Sequence, residues 1–112
     1  MPPVKGDLHQ LQEVFLNLII NAYQSMPEGG VVKITTGNLG NLFALIQIKD
    51  TGIGISADHL KDVFMPFFSM RKDGKGLGLS ICHNIIKNHN GSIELESQVG
   101  RGSTFTIKLP FI

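Results

Sequence analysis

Two pairs of strand-like segments, each following a helix pattern, restrict what this chain can fold into. The segments, rich in apolar and β-branched residues, are 31–36, 42–49, 92–98 and 104–109. Short glycine-containing loops join the members of each pair, which predicts two β-hairpins. Consecutive hairpins accompanied by helices favour an α+β fold, a two-layer sandwich in which helices cover one face of a mostly antiparallel sheet.

Apolar residues at helical spacing predict two longer helices, over residues 8–26 and about 77–89. Their apolar stripes are Leu8, Leu11, Phe15, Leu18, Ile19, Ala22 and Met26 in the first helix, and Leu79, Cys82, Ile85 and Ile86 in the second. Asp7 is the expected N-cap of the first helix. A short helix is expected near 56–64. Residues 65–76 show no period, and we expect them to form a loop that acts as a lid over a binding site.

The composition is that of a small domain with its own core. The chain has 112 residues, of which 42% are hydrophobic and 17% charged, and its net charge is +1. We therefore expect one domain, 1–112, without a general attraction to nucleic acid or membranes. The single cysteine, Cys82, excludes an internal disulfide framework and fits a reducing compartment. No apolar run approaches the roughly 18 residues that span a membrane, so a cytoplasmic location is expected.

A second, polar stripe runs along the first helix. Its members, three or four residues apart on one face, are Gln10, Glu13, Asn17, Asn21 and Gln24. Asparagine is a poor helix former, so Asn17 and Asn21 in mid-helix indicate a function. Their side-chain oxygens suit Mg²⁺, which takes few protein ligands and completes its octahedron with water and phosphate oxygens. The alternative is a solvated polar face.

An aspartate followed by two glycines stands at the end of the second strand-like segment. Asp50, Gly52 and Gly54 belong to the sequence DTGIGI, which directly follows an apolar run. The glycines allow a flat ring to approach the backbone, and the carboxylate can accept a hydrogen bond from an exocyclic amine such as that of adenine. The alternative is an ordinary turn between a strand and a loop.

A glycine-rich segment opens the second long helix. Gly74, Gly76 and Gly78 leave backbone N–H groups free at the positive end of the helix dipole, which favours phosphate. The candidate contacts there are Lys75, Gly76, Leu77 and Gly78. The segment matches neither the P-loop nor the dinucleotide fingerprint. In the preceding loop, Arg71 is a candidate phosphate contact, with plain solvation as the alternative, and Phe64 is expected to pack at the hinge.

Taken in order, these segments resemble the four boxes of the catalytic ATP-binding domain of bacterial two-component sensor histidine kinases. The N, G1, F and G2 boxes correspond to LNLIINAYQSM (16–26), DTGIGI (50–55), FMPFF (64–68) and GKGLGLS (74–80). The amino-acid sequence of these segments is most similar to that of the nitrogen-regulation type of kinase. The resemblance implies the Bergerat fold, with a mostly antiparallel mixed sheet and helices on one face.

Carried over position by position, the resemblance assigns roles to residues of this chain. Asn21 would hold Mg²⁺, with Asn17 assisting near the phosphates. Asp50 would bind the adenine amine, with Gly52 and Gly54 shaping that wall. The phosphate-side and lid residues would be Gly76, Gly78 and Arg71, the last at the position of the family's lid lysine.

The resemblance implies an enzyme whose reaction is completed by another domain. The chain would bind ATP·Mg²⁺ and donate the γ-phosphate to a histidine on a separate dimerisation domain of the same kinase, with a response regulator as an indirect partner. None of the four histidines has the setting of a phosphoacceptor, and only Val4 and Lys5 remain for the fold's first strand. We therefore expect a monomeric domain that is truncated at its N-terminal strand and lacks the dimerisation domain.

The position one helical turn before Asn21 bears on hydrolysis. Bergerat-fold ATPases carry a glutamate general base there, whereas this chain has Asn17. A carboxamide cannot take a proton from water, so we expect poor intrinsic hydrolysis. Glu13 lies on the same face, about 12 Å along the helix axis from Asn21, and is assigned to orienting Asn17 or assisting an acceptor imidazole.

Two other functions fit the same boxes. A serine kinase of the anti-sigma-factor type shares the fold and the glycine-rich segments. A non-catalytic nucleotide-binding regulatory module would keep the pocket without the transfer reaction.

Overall fold

The computed structural model describes residues 6–60, 62–64 and 78–111. The helices are α1 (Leu8–Gln24), α2 (Ala57–Leu60) and α3 (Gly78–Asn88). The strands are β1 (Val32–Leu39), β2 (Phe43–Asp50), β3 (Ser92–Gln98) and β4 (Gly102–Pro110). This order of helices and hairpins confirms the predicted α+β fold.

The four strands of the described residues form one antiparallel sheet in the order β1-β2-β4-β3. β1 pairs with β2, and β3 pairs with β4, so both predicted hairpins are present. The hairpins join through the central strands β2 and β4, where Ile46 is opposite Ile107. The expected first strand falls on Val4 and Lys5, which lie outside the described residues.

Buried residues alternate with less buried ones along the two central strands, and this pattern identifies the face of the sheet that the helices cover. The buried residues at alternate positions are Ala44, Ile46 and Ile48 in β2 and Phe105, Ile107 and Leu109 in β4. Successive side chains of a strand point to opposite faces, so these residues share the face that meets the helices. They form one cluster with Val14 and Leu18 of α1 and with Cys82 and Ile86 of α3.

The buried face of α1 is narrower than the predicted stripe. Val14, Leu18 and Ala22, spaced four residues apart, are its buried residues, whereas the predicted stripe omits Val14. Leu8 is 67% exposed and Ile19 is 38% exposed. At about 100° per residue, Leu8 and Ile19 lie to the side of the line through Val14 and Ala22, so they point past the sheet rather than into it.

Two strands are longer than predicted. β1 continues to Leu39, opposite Phe43, and β4 begins at Gly102, opposite Gln98. Glycines and asparagines in these stretches favour loops, but the hairpin ladders extend through them because the intervening turns are tight.

The two long helices pack antiparallel. At the start of α1, the N–H of Asp7 donates to Nε2 of His89, just past the end of α3, at 2.9 Å. Nδ1 of His89 lies 2.8 Å from the carbonyl oxygen of Ile85, and since Nε2 accepts, Nδ1 carries the proton and donates. His89 therefore joins the two helices. Asp7 is the N-cap, and its Oδ1 accepts from the N–H of Gln10 at 3.0 Å.

Candidate functional site

The antiparallel helix pair brings the polar stripe of α1 beside the start of α3. Asp7 contacts His89 at one end, and about two turns further along, the Cys82 thiol contacts the carbonyl oxygen of Val14. Because the helices are antiparallel, residues later in α1 lie beside residues earlier in α3. Asn17 is therefore level with the first turn of α3, and Asn21 lies one helical turn further along α1, past the start of α3. The two residues predicted to act on metal and phosphate are thus at the end of the pair where α3 begins.

Asn17 is half-buried between the two helices, and its side chain hydrogen bonds with the Cys82 thiol. Burial, and secondarily the charge of Glu13, raises the pKa of Cys82 to about 12. The thiol therefore stays protonated at neutral pH, as expected of a buried, unreactive cysteine within the apolar stripe of α3. Glu13 is itself exposed, and Asn21 is half-buried and engaged in contacts of its own.

Asp50 is the last residue of β2 and is 1% exposed. Its Oδ1 accepts hydrogen bonds from the backbone N–H of Gly52 at 2.9 Å and of Ser103 at 3.3 Å. A carboxylate has two oxygens and about four lone-pair sites, so these two bonds orient the group while leaving it able to accept from a ligand. The structure therefore gives Asp50 a fixed direction before any base binds.

The loop after β2 rests on the end of α1. The N–H of Ile53 donates to the carbonyl oxygen of Ser25 at 3.0 Å, and the Ser25 hydroxyl donates to Ala22 at 2.7 Å. A Cβ at Gly52 would collide with the Ser25 side chain and carbonyl. Gly52 is therefore required for close approach of the loop to the helix that carries Asn17 and Asn21.

The same loop is held on its other side by the β3–β4 hairpin. The N–H of Gly100 donates to the carbonyl oxygen of Ile53 at 2.8 Å, and the N–H of Ile55 donates to Oγ of Ser97 at 2.7 Å. Gly54 has a φ of +75°, and a Cβ there would collide with the carbonyl of Gln98. Both predicted glycines thus bring the loop close to its neighbours, one to α1 and the other to the hairpin.

Sequence reasoning missed the serines that support the site. Ser25, Ser97 and Ser103 each bond to the loop, to its neighbours or to Asp50. One signal was available for Ser97, because it follows Ile93 and Leu95 at alternate positions of β3 and so takes an inward position where an apolar residue is expected.

The lid predictions fall mostly outside the described residues. Arg71, Lys75, Gly76 and Leu77 lie there, whereas Gly78 is the first residue of α3. Phe64, which precedes the predicted lid, packs its ring 5.3 Å from that of His83 and 6.3 Å from that of Phe105. Phe64 thus packs against α3 and the core, in agreement with its predicted hinge role.

The donor set restricts what cation could bind. Across residues 6–60, 62–64 and 78–111, no three His, Cys, Asp or Glu side chains come together at a possible metal site. A cation held here would depend on carboxamide, water and phosphate oxygens, which is the coordination that Mg²⁺ accepts. The residues present therefore fit Mg²⁺ carried in with a polyphosphate.

The comparison with protein families identifies the family of the chain. The model of the histidine kinase-, DNA gyrase B- and HSP90-like ATPases matches residues 6–112. The chain belongs to this ATPase family. Its buried strand-end aspartate, glycine loop and asparagine helix are therefore parts of a known type of ATP-binding domain.

Curated relatives of this ATPase domain are sensor kinases. The chain is 44% identical over 107 residues to sporulation kinase C of Bacillus subtilis (strain 168), covering 96% of the chain and 25% of that kinase. It is 42% identical over 110 residues to the sensor histidine kinase ZraS of Escherichia coli (strain K12), covering 98% of the chain and 23% of that kinase. The chain thus spans about a quarter of the curated relatives it matches.

Solved structures agree with the ATPase fold. The mycobacterial sensor histidine kinase MprB matches with a TM-score of 0.88 and 30% identity, over 96% of this chain and 76% of that chain. Full-length ShkA in complex with AMPPNP matches with a TM-score of 0.86 and 28% identity, over 99% of this chain and 23% of that chain. These likenesses identify a catalytic ATPase domain of the histidine kinase kind and favour neither the anti-sigma-type serine kinase nor a non-catalytic module.

No helix among the described residues of this ATPase domain is long and apolar enough to cross a membrane.

Proposed function

We propose that this domain binds ATP with Mg²⁺ and presents the γ-phosphate to a histidine on a separate dimerisation domain of the same kinase. One arrangement supports the proposal: α1, which carries half-buried Asn17 and Asn21, packs beside the start of α3 on one side, and its C-terminal end holds the loop that follows the buried Asp50. The base, the cation and the phosphates each require one of these elements.

Asp50 is the proposed base-recognition residue. Its carboxylate can only accept hydrogen bonds when ionised, and the exocyclic amine of adenine is a donor. Backbone donors fix the orientation of the carboxylate, and burial removes competing water, which strengthens a hydrogen bond made there. Gly52 and Gly54 are proposed to shape the adjoining wall.

Asn21 is the proposed Mg²⁺ ligand, with Asn17 assisting near the phosphates. Neutral carboxamides leave the phosphates to balance the charge of the cation. The free N–H groups at the start of α3 suit phosphate oxygens. The further phosphate contacts proposed on this side are Arg71, Lys75, Gly76, Leu77 and Gly78.

Phosphoryl transfer relies mainly on positioning and charge neutralisation. The acceptor imidazole supplies the nucleophile, so this domain needs no nucleophile of its own. Asn17 cannot remove a proton from water, which protects bound ATP from hydrolysis. Exposed Glu13, on the same face as Asn17, is proposed to orient that side chain or to assist the incoming imidazole.

The proposed context is a two-component kinase, with a response regulator receiving the phosphoryl group from the dimerisation domain. The segments NAYQSMPEGG, FFSM and GLGLSI support the nitrogen-regulation type. We further propose a cytoplasmic location, because ATP is supplied there, and a monomeric state for the domain by itself.

Calorimetric titration with a non-hydrolysable ATP analogue, with and without Mg²⁺, tests binding. Asp50→Ala should weaken binding under both conditions by about tenfold or more, because it removes a buried acceptor. Asn21→Ala should remove only the gain in affinity that Mg²⁺ confers. Gln12→Ala, on the exposed face of α1, is the matched control and should bind like the wild type.

Transfer is tested by adding radiolabelled ATP and a dimerisation domain that bears the acceptor histidine. The wild-type chain should label the acceptor, and Asn21→Ala should not. Unchanged affinity in Asp50→Ala would show the base assignment to be wrong, and full acceptor labelling by Asn21→Ala would exclude the metal role.

A further inference from the structure

Ser97, near the end of β3, has three polar partners around one hydroxyl group. Its Oγ accepts from the N–H of Ile55 at 2.7 Å and lies 2.9 Å from the carbonyl oxygen of Gly102. It also lies 2.7 Å from Oγ of Ser103. The side chain is half-buried, and it joins the loop after β2 to the first residues of β4.

The directions of these bonds follow from the chemistry of a hydroxyl, which has one proton and two acceptor lone pairs. The amide of Ile55 can only donate, and the carbonyl of Gly102 can only accept. The Ser97 proton therefore goes to Gly102, and the Ser103 hydroxyl donates to Ser97. Every hydrogen-bonding position of the Ser97 hydroxyl is then used.

Both residues that Ser97 holds in β4 touch Asp50. The N–H of Ser103 donates to Oδ1 of Asp50 at 3.3 Å, and Gly102 lies so close to the Asp50 carbonyl that a Cβ would collide with it. Ser97 also accepts from the N–H of Ile55, which lies five residues after Asp50 in the loop that begins there. Ser97 therefore fixes the position of the aspartate through two separate routes without contacting it.

We propose that Ser97 is a positioning residue for base recognition, which aims the Asp50 carboxylate at the 6-amino group of a purine and thereby selects ATP over 6-oxo purine nucleotides. This inference rests on the proposed function. A 6-oxo group offers an acceptor to the carboxylate, and two acceptors repel. The N1–H donor of a 6-oxo purine lies to one side of that group, so a carboxylate that can shift reaches it, and discrimination depends on how firmly the carboxylate is held. Loss of the Ser97 hydroxyl lets the carboxylate move, which weakens the bond to the amine and relieves the repulsion of the oxo group.

The test measures the affinities of the 112-residue chain for ATP and for inosine triphosphate, which differ at the 6-position. Ser97→Ala should lower the ratio of the two affinities by about tenfold, the value of one well-oriented hydrogen bond to a charged group. Ser97→Thr keeps a hydroxyl and should retain most of the ratio. Ser92→Ala, at an exposed position of the same strand, is the matched control and should leave the ratio unchanged.

A purely structural role would lower both affinities together and keep their ratio, and that result in Ser97→Ala would overturn the inference. If Ser97→Ala does not fold, Ser97→Cys, of similar size and with a weaker donor, gives the same comparison. Asp50→Ala separates this inference from the proposed function. If Asp50→Ala loses ATP affinity while the Ser97 variants keep the wild-type ratio, only the role of Ser97 is wrong, whereas unchanged ATP affinity in Asp50→Ala contradicts the proposed function itself.

Discussion

The carbonyl oxygen of Ser25 accepts a hydrogen bond from the N–H of Ile53 at 3.0 Å. Ser25 lies one helical turn beyond Asn21, and Ile53 lies three residues beyond Asp50. This bond therefore connects the helix proposed to hold the cation with the loop proposed to hold the base. The two halves of the site are positioned relative to each other by a hydrogen bond between backbone atoms.

Gly52→Ala should both destabilise the fold and weaken nucleotide binding. The new methyl group would collide with Ser25 and push the loop away from α1, breaking the bond to Ile53. We expect a loss of about 1–3 kcal/mol in the free energy of unfolding, measured with urea, together with lower ATP affinity by calorimetry. Gly37→Ala is the control, because nothing lies within 4 Å of a Cβ there. Equal effects of the two substitutions would contradict the role given to Gly52.

Substitutions at a second pair of glycines distinguish the effect of backbone strain from that of steric collision. Gly100 and Gly102 both have positive φ, +82° and +95°, so alanine at either is strained by about 1–3 kcal/mol. Only at Gly102 would a Cβ also collide with the carbonyl of Asp50. We therefore expect Gly102→Ala to lower the unfolding temperature further than Gly100→Ala and to be the variant that loses ATP affinity. The reverse order would disprove the close packing of β4 against Asp50.

Stability should fall in alkali because of Cys82. Burial chiefly raises the pKa of its thiol from 9.0 to about 12 in the folded chain. Between these values the unfolded chain loses the thiol proton while the folded chain keeps it, so this contribution is complete below pH 9 and declines as the pH rises toward 12. Urea unfolding from about pH 8 to about pH 11 measures the decline.

Cys82→Ala serves as the control for this pH dependence. The variant is less stable at all pH values because it leaves a cavity, but its stability should fall less steeply in alkali than that of the wild type. Identical slopes for the two chains would mean that the thiol is not the group responsible.

His89→Ala should loosen the end of the helix pair remote from the site. It removes the acceptor of the Asp7 N–H and the donor to Ile85, and because water can reach this end, we expect a cost of about 0.5–1.5 kcal/mol. Urea unfolding gives the stability and calorimetry the ATP affinity, which should stay close to the wild-type value. His9→Ala, exposed on α1, is the control. A variant with normal stability but reduced ATP affinity would place His89 in the site instead.

The hairpins could be predicted, and the candidate site residues could be proposed, because their signals are local. The turn residues and apolar runs of β1 to β4 lie next to one another in the chain, and Asn17, Asn21 and Asp50 are polar residues within apolar surroundings. The burial of Val14 instead of Leu8 could not be predicted in this way. Both are apolar at helical spacing, and only the direction from which the sheet approaches decides between them.

The contacts of the supporting serines were beyond prediction for a different reason, although the inward position of Ser97 in β3 could have marked that residue. Ser97 contacts Ile55 across 42 residues, and Ser103 contacts Asp50 across 53. In each case one partner is a backbone amide, which every residue except proline provides. No pattern of side chains marks such a pair, so it emerges only when the topology brings the hairpin turn beside the end of β2.

The bond between Asp7 and His89 also has a consequence for how such kinases are assembled. It ties the point at which the preceding residues join the domain to the ends of α1 and α3 that lie farthest from the site, about 15 Å from Asn17 and about 21 Å from Asn21 along α1. Any segment that precedes Gly6 would thus join the domain at an end remote from the proposed nucleotide site. We expect chimaeras joined at this point to exchange their inputs while keeping the nucleotide affinity of the parent.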